Sequence, residues 1–272
     1  MENHSKKICK ACGTEYDSKE IKNNHCKICD DDRQYIPEGG QEWTTHDELL
    51  KSRSVQIKCV YKNLYELTIL PSFAIGQRAF LIISESGNIL WDCIPLLDES
   101  TIAFINSKGG LKGITISHPH YYSNMQTWAS TFNCPVYIHE KDKEWTPENE
   151  AINLWNGEEK VLWDEIKIIN TGGHFPGACI LHVPFLSEGG TVFCGDSLFI
   201  SRSKRHIAIM YSYPNQIPVP VSEIKRIRLL LEKYQFDSLY GAFSFQNLTS
   251  DVKNILQKSM DINMRQDWDQ PK

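Results

Sequence analysis

At 272 residues and 41% hydrophobic, the chain can bury a substantial core, and its length lies near the upper end of what one domain reaches. Thirty-four acidic against 29 basic side chains leave a formal charge of −5, so no basic excess points to a nucleic-acid backbone or an anionic membrane. No apolar run suits a secretory signal or approaches the ~20 residues of a membrane span; a soluble, cytoplasmic protein is expected, its nine cysteines thiols rather than a secreted disulfide scaffold.

The first 36 residues carry two C-x-x-C pairs, Cys9-Lys10-Ala11-Cys12 and Cys26-Lys27-Ile28-Cys29, with thirteen residues between them. Four thiolates so spaced can surround one zinc ion tetrahedrally. A segment this short has too few apolar residues for a core of its own, so the metal is expected to supply most of its folding energy and to be structural. His25 is a bystander in this reading, and the segment's lysines are offset by Glu15, Asp17, Glu20 and Asp30-Asp31-Asp32, which disfavours nucleic-acid binding. Residues 37–54, opening with Pro37-Glu38-Gly39-Gly40, read as a connector, and 55–272 as the main domain.

In chain order the main domain reads as strands at 55–61, 65–70, 78–83 and 88–91, a helix at 100–108, a strand at 113–117 and a helix at 124–132. Strands follow at 134–139, 166–170, 178–183 and 191–194, then a helix at 222–234, a strand at 238–240 and a helix at 251–260. Strands interleaved with helices over two similar halves predict an α/β, four-layer αββα arrangement. His118 and His120 follow the strand at 113–117, His174 follows 166–170 through a Thr-Gly-Gly turn, and Asp196 follows 191–194 through Gly195. Each metal-capable residue thus lies at the carboxyl end of a strand, where separated ligands can converge in one crevice.

Ser117-His118-Pro119-His120, Gly172-Gly173-His174-Phe175-Pro176-Gly177 and Gly195-Asp196-Ser197-Leu198-Phe199 resemble, in order and spacing, the metal-binding motifs of the metallo-β-lactamase-fold metallohydrolases. The resemblance runs from about Val55 onward, and Ile89-Leu90-Trp91-Asp92-Cys93 resembles the family's early strand, whose Asp supports the metal loop. The ribbon, His118-Pro119-His120-Tyr121-Tyr122 and Met210-Tyr211-Ser212-Tyr213-Pro214-Asn215 together resemble a divergent branch of that superfamily. The resemblance implies His118, His120, His174 and Asp196 as metal ligands.

Where the superfamily pattern is H-x-H-x-D-H, this chain has Tyr122 at the Asp position and Ser123 at the His position, and Gly241-Ala242-Phe243-Ser244 lacks the family's late histidine. One metal, zinc or iron, is therefore expected rather than two. Ser123, with Gln126 three residues on, reads as a helix N-cap in a capping box. Tyr121 and Tyr122 could pack, hydrogen-bond a substrate oxygen or place one phenol near the metal, Tyr122 could serve as an oxyanion donor, and Asp196 could take up a proton if it is not tied to the metal. The leading expectation is a mononuclear hydrolase of an ester, thioester or related small molecule, which the cluster Arg202, Lys204, Arg205, His206 would favour as an anion. A catalytically silent binding protein and a non-haem iron oxygenase of the persulfide-dioxygenase kind stand as alternatives. Met210, Tyr211, Tyr213 and Phe243 could wall the pocket or pack in the core; His139, His182 and His206 are expected to pack or face solvent. The sequence says nothing of oligomeric state.

Overall fold

The computed structural model describes residues 6–147 and 149–265; residues 1–5, 148 and 266–272 of the segments expected above lie outside it. At the N-terminus, β1 (Lys6–Cys9) pairs antiparallel with β2 (Glu15–Asp17) and with β3 (Trp43–Thr44), so the stretch expected to be a connector supplies the third strand of the ribbon's sheet before a short helix, α1 (His46–Leu50).

A seven-stranded sheet follows, from β4 (Ser54–Tyr61), β5 (Leu64–Leu70), β6 (Ala79–Ile82) and β7 (Ile89–Trp91) to β8 (Gly113–Thr115), β9 (Val136–His139) and β10 (Ile152–Trp155), paired in that order. The pairings are antiparallel up to β7 and parallel beyond it, the crossovers being made by α2 (Glu99–Ser107), α3 (Met125–Phe132) and, between β9 and β10, a stretch containing the 3₁₀ turn Glu140–Trp145. Asp98 starts α2 by accepting Thr101 N–H at 2.8 Å, and its other oxygen accepts Val55 N–H at 2.9 Å, tying the helix to the first long strand.

The second sheet contains β11 (Glu159–Val161), β12 (Lys167–Asn170), β13 (Cys179–Val183) and β14 (Thr191–Phe193). Two small ribbons come next, β15 (Phe199–Ile200) with β16 (Ile207–Ala208) and β17 (Met210–Ser212) with β18 (Ile217–Pro218). Then α4 (Val221–Glu232) leads to β19 (Ser238–Tyr240) and β20 (Asn247–Leu248), which complete the sheet beside β14, and α5 (Val252–Asn263) closes the described chain.

Period-two alternation sorts these strands into layers. Ile168, Leu181 and Phe193 join Phe80, Ile82, Ile89 and Trp91 in a core between the sheets, while their neighbours Ile169, Ile180 and Val192 pack with Ile224, Ile227, Leu256 and Met260 of α4 and α5. On the far side Leu81, Leu90 and Ile114 meet Ile105, Met125 and Trp128 of α2 and α3. The result is the four-layer αββα sandwich. No helix among the described residues is long and apolar enough to cross a membrane.

A single buried cation ties the two sheets together. Arg78, just before β6, pairs with the buried Glu66 of β5 and donates to Gly241 O at 2.9 and 3.0 Å and to Gln246 O at 3.1 Å, beyond β19. Arg78→Met strands the Glu66 carboxylate in the core, and an unpaired buried charge costs about 3–5 kcal/mol. Urea unfolding at neutral pH is expected to show a loss of that size, and a smaller one for the double variant Arg78→Met/Glu66→Leu.

Candidate metal centre

The ligand-bearing loops meet at Ser117. Asp92, at φ +59° just after β7, accepts Ser117 N–H on Oδ1 at 2.7 Å, and Ser117 O accepts Cys179 N–H from β13 at 2.8 Å, so this residue bridges the two sheets immediately before His118. Its Oγ lies 2.8 Å from His118 Nδ1. Gly195, at φ +49°, packs directly on it: a Cβ at that position would fall 2.5 Å from Ser117 Cβ, so only glycine admits the Asp196 loop so close. Pro119 then starts a 3₁₀ turn, 119–121, which brings His120 round beside His118.

These constraints bring together His118, His120, His174 and Asp196, with one ligand atom from each lying within 4.8 Å of all the others. Asp196 Oδ2 is 3.4 Å from His118 Nε2 and 3.9 Å from His174 Nε2, and His174 Nε2 is 3.4 Å from His120 Nδ1. His174 Nδ1 donates to Met210 O at 3.1 Å, which leaves the Nε2 lone pair facing the cluster. All four side chains are buried, and His118 Nε2 makes no hydrogen bond.

Electrostatics fit the same geometry. Burial first, then the neighbouring His118 charge, pushes His174 down to about 3, and burial with the charges of His118 and His174 pushes His120 down as well. Burial opposes ionisation of Asp196, but the close approach and charge of His118, followed by His174 and the Tyr121 hydroxyl, bring it below the ordinary carboxylate range. Imidazoles around a carboxylate, two of them (His118 and His120) with an orphaned buried Nε2, form a donor set for a cation of the zinc or iron type.

The structure corrects two expectations about the residues after His120. The Tyr122 hydroxyl is buried without a partner, and Tyr122 lines a different cavity from the one beside the histidines; Tyr121 instead donates to Asp196 Oδ1 at 2.7 Å. Ser123 is not the N-cap of α3. It sits at φ +46°, its hydroxyl donates to Cys93 O at 3.2 Å and accepts from Gln77 Nε2 at 3.1 Å, and Asn124 holds the cap position without a capping side chain. Neither residue joins the ligand cluster.

Beside the cluster lies a half-open cavity of about 420 Å³, lined by His120, His174 and Asp196, the rings of Phe199, Tyr213, Phe243 and Phe245, and Gln34 from the N-terminal segment. Of the expected wall residues, Tyr213 and Phe243 take that role, Met210 serves through its carbonyl, and Tyr211 packs on Arg33. Of the basic cluster, Arg202 reaches the cavity, its guanidinium 4.4 Å from the Phe245 ring, while Lys204, Arg205 and His206 are exposed. His139 and His182 bond the carbonyls of Gly157 and Gln235. Phe199 closes the motif that carries Asp196 but was not singled out as a wall residue, and Phe245, Arg33 and Gln34 carried no motif at all.

The cysteines form a second cluster of four buried sulfurs, Cys9 and Cys29 at 3.6 Å and Cys12 and Cys26 at 3.5 Å. Hydrogen bonds from Cys12, then Cys26 and Cys29, draw the Cys9 thiol far down, and Gln41 donates to its sulfur at 3.1 Å. The apolar cluster around them adds Ile28 as its one fully buried aliphatic side chain, worth about 1.5–3 kcal/mol. That cannot offset ~1–2 kcal/mol for every ordered residue, and the four sulfurs are placed so that they could hold a metal ion that would add to it. His25 is exposed and pairs with Asp30 instead.

No family model matches the chain. Over 241 residues it is 41% identical to the uncharacterized protein YmaE of Bacillus subtilis (strain 168), covering 87% of this chain and 88% of that one. The chain belongs to the YmaE family. This YmaE relative shares its fold with solved structures of much lower identity. The DIM-1 metallo-β-lactamase matches with a TM-score of 0.58 at 15% identity, over 77% of this chain and 97% of that one. FIM-1 from Pseudomonas aeruginosa, in its mono-zinc form, matches at 0.58 and 12%, over 77% and 94%. The YmaE-family chain therefore has the metallo-β-lactamase fold, with a four-cysteine cluster consistent with a small zinc ribbon at its N-terminus.

Tyr121 and Tyr122 separate cleanly in a metal titration. Tyr121→Phe frees Asp196 Oδ1 and is expected to weaken metal binding at the histidine cluster about tenfold or more, the usual scale for a residue that orients a ligand, whereas Tyr122→Phe leaves it unchanged. The depressed histidines also set a pH dependence. With the histidine cluster emptied of metal, the unfolded chain binds protons at His174 from 6.5 downward while the folded chain resists until about 3. Stability is therefore full above 6.5 and falls on acidification through that window, and His174→Gln is expected to flatten this part of the curve in urea unfolding across pH.

Proposed function

We propose that this protein is a mononuclear metal-dependent hydrolase of a small ester, thioester or related acyl compound. The observation that carries the reading is the convergence of His118, His120, His174 and Asp196 on one point beside an apolar cavity open to solvent. A structural cluster has no need of a substrate-sized cavity at its edge. Zinc in the cysteine ribbon and one zinc or iron ion at the histidine cluster are the cofactors this reading requires. A metal ion so held acts as a Lewis acid and brings the pKa of a water toward ~7.

The chain's own residues do the rest. His174 is oriented by the Met210 carbonyl, and Asp196 is fixed by Tyr121 on one oxygen, so its second oxygen faces the histidines. Asp196 is the one carboxylate among the described residues lining the cavity, and where the three histidines alone hold the metal it is assigned the proton that the attacking water gives up. Phe199, Tyr213, Phe243 and Phe245 exclude water from the acyl group, and Arg202 at the edge suits a substrate bearing negative charge. Water adds its oxygen to the acyl carbon, and the departing alcohol or thiol leaves with a proton.

Elemental analysis is expected to find two metal ions per wild-type chain and one in His118→Ala. Hydrolysis of a panel of 4-nitrophenyl esters and acyl thioesters should fall at least ~100-fold in that variant, more than the loss of an orienting residue produces. A wild-type protein holding metal at the cysteines alone would overturn the hydrolase reading and leave a binding role. Iron with oxygen consumption would replace hydrolysis by oxygenation.

A further inference from the structure

The ribbon does not simply precede the metal centre; its last turn is built into it. Two residues beyond Cys29, Asp31 accepts Arg33 N–H at 3.0 Å and takes the Arg33 guanidinium on both carboxylate oxygens, at 2.7 and 2.8 Å. The next residue, Gln34, lines the cavity with His120, His174 and Asp196. The turn is pinned from the opposite side by the end of β17 and the residues that follow: Ser212 Oγ donates to Arg33 O at 3.2 Å, and Asn215 Nδ2 donates to Asp32 O at 2.8 Å and Gln34 O at 3.3 Å.

Arg33 itself is enclosed. Its side chain is 11% exposed, and its guanidinium carbon lies 4.3 Å from the Phe175 ring centre and 4.4 Å from that of Tyr211. Both rings belong to the housing of His174. Phe175 is the next residue and meets the rings of His118, His120 and His174 at 5.6, 4.9 and 5.2 Å, while Tyr211 follows Met210, whose carbonyl holds His174 Nδ1. One cation thus grips, through flat faces, the two segments that orient one ligand.

We propose that Arg33 is a positioning residue for His174, and that metal in the cysteine cluster and metal in the histidine cluster therefore bind cooperatively. The proposal rests on the metal-site reading above. Folding the ribbon around its own metal places Arg33 between Phe175 and Tyr211, and the ordering of His174 is then already supplied when the second ion arrives. Because coupling between binding sites is reciprocal, each ion raises the affinity of the other by the same factor.

Cobalt titration of the full chain tests this, since thiolate charge-transfer bands report the cysteine cluster and ligand-field bands the histidine cluster. Hydrogen exchange over residues 210–215 is followed in parallel. Arg33→Ala is expected to lower cobalt affinity at the histidine cluster about tenfold or more while the cysteine cluster still saturates, and to speed exchange over 210–215. Arg33→Lys, which keeps a cation between the rings but loses the two-oxygen grip on Asp31, should recover part of both. Cys29→Ser should weaken the histidine cluster although it touches none of its ligands. Wild-type cobalt affinity and wild-type exchange in Arg33→Ala would overturn the proposal. If the wild-type chain takes up cobalt at the cysteines alone, the proposed function fails, and the proposal of cooperative binding fails with it, whatever the exchange data show for the packing of Arg33.

Discussion

Ser117 is held from four directions, and the metal centre depends on that confinement. Its amide goes to Asp92 on the first sheet, its carbonyl to Cys179 on the second, its hydroxyl lies against His118, and Gly195 presses on its β-carbon. Each partner belongs to a different stretch of chain, and two of them stand in left-handed backbone that most residues avoid. A ligand cluster drawn from three distant loops needs such a fixed point, because an error of an ångström at the junction would be passed to every ligand beyond it.

From that junction the two residues after Tyr121 acquire a physical meaning. Tyr122 and Ser123 have not left an empty half-site; they have been recruited to packing and to hydrogen bonds with Cys93 and Gln77. Tyr121, one residue earlier, reaches Asp196 and orients it. The aromatic rings of Phe199, Tyr213, Phe243 and Phe245 line the cavity beside the histidine cluster, so the candidate ligands stand next to an apolar wall.

The ribbon adds a second cluster of metal-capable side chains at a distance along the chain. Its cysteine cluster has almost no core of its own, yet its last turn contributes Arg33 and Gln34 to the far domain and its strand β2 hydrogen-bonds Ser123 at the start of the α3 turn, with Glu15 N–H to Ser123 O at 3.0 Å. Stability flows in both directions across such a contact: the main domain offers the ribbon a packing surface, and the ribbon holds loops that would otherwise be free.

Much of this was legible in the residues themselves. Polar–apolar alternation at 55–59, short apolar runs such as 178–183 and the apolar faces of 222–234 and 251–260 announced the layers, since side-chain burial repeats with backbone geometry. Local spacing was enough to pair the cysteines, and the position of His118, His120, His174 and Asp196 at strand ends was enough to predict their convergence. Short strands such as β10, β11 and β15 to β18 escaped notice because two to four residues carry no periodic signal and are defined by their partners. The same reason governs the site. Sequence by itself determined which side chains could bind metal, because ligand chemistry resides in the residue. Only the tertiary structure decided that Tyr121 rather than Tyr122 faces Asp196, that Ser123 turns inward, and that Arg33, 85 positions before His118, stands beside the histidines. Those outcomes depend on backbone direction at single residues and on contacts between distant segments, neither of which a local pattern encodes.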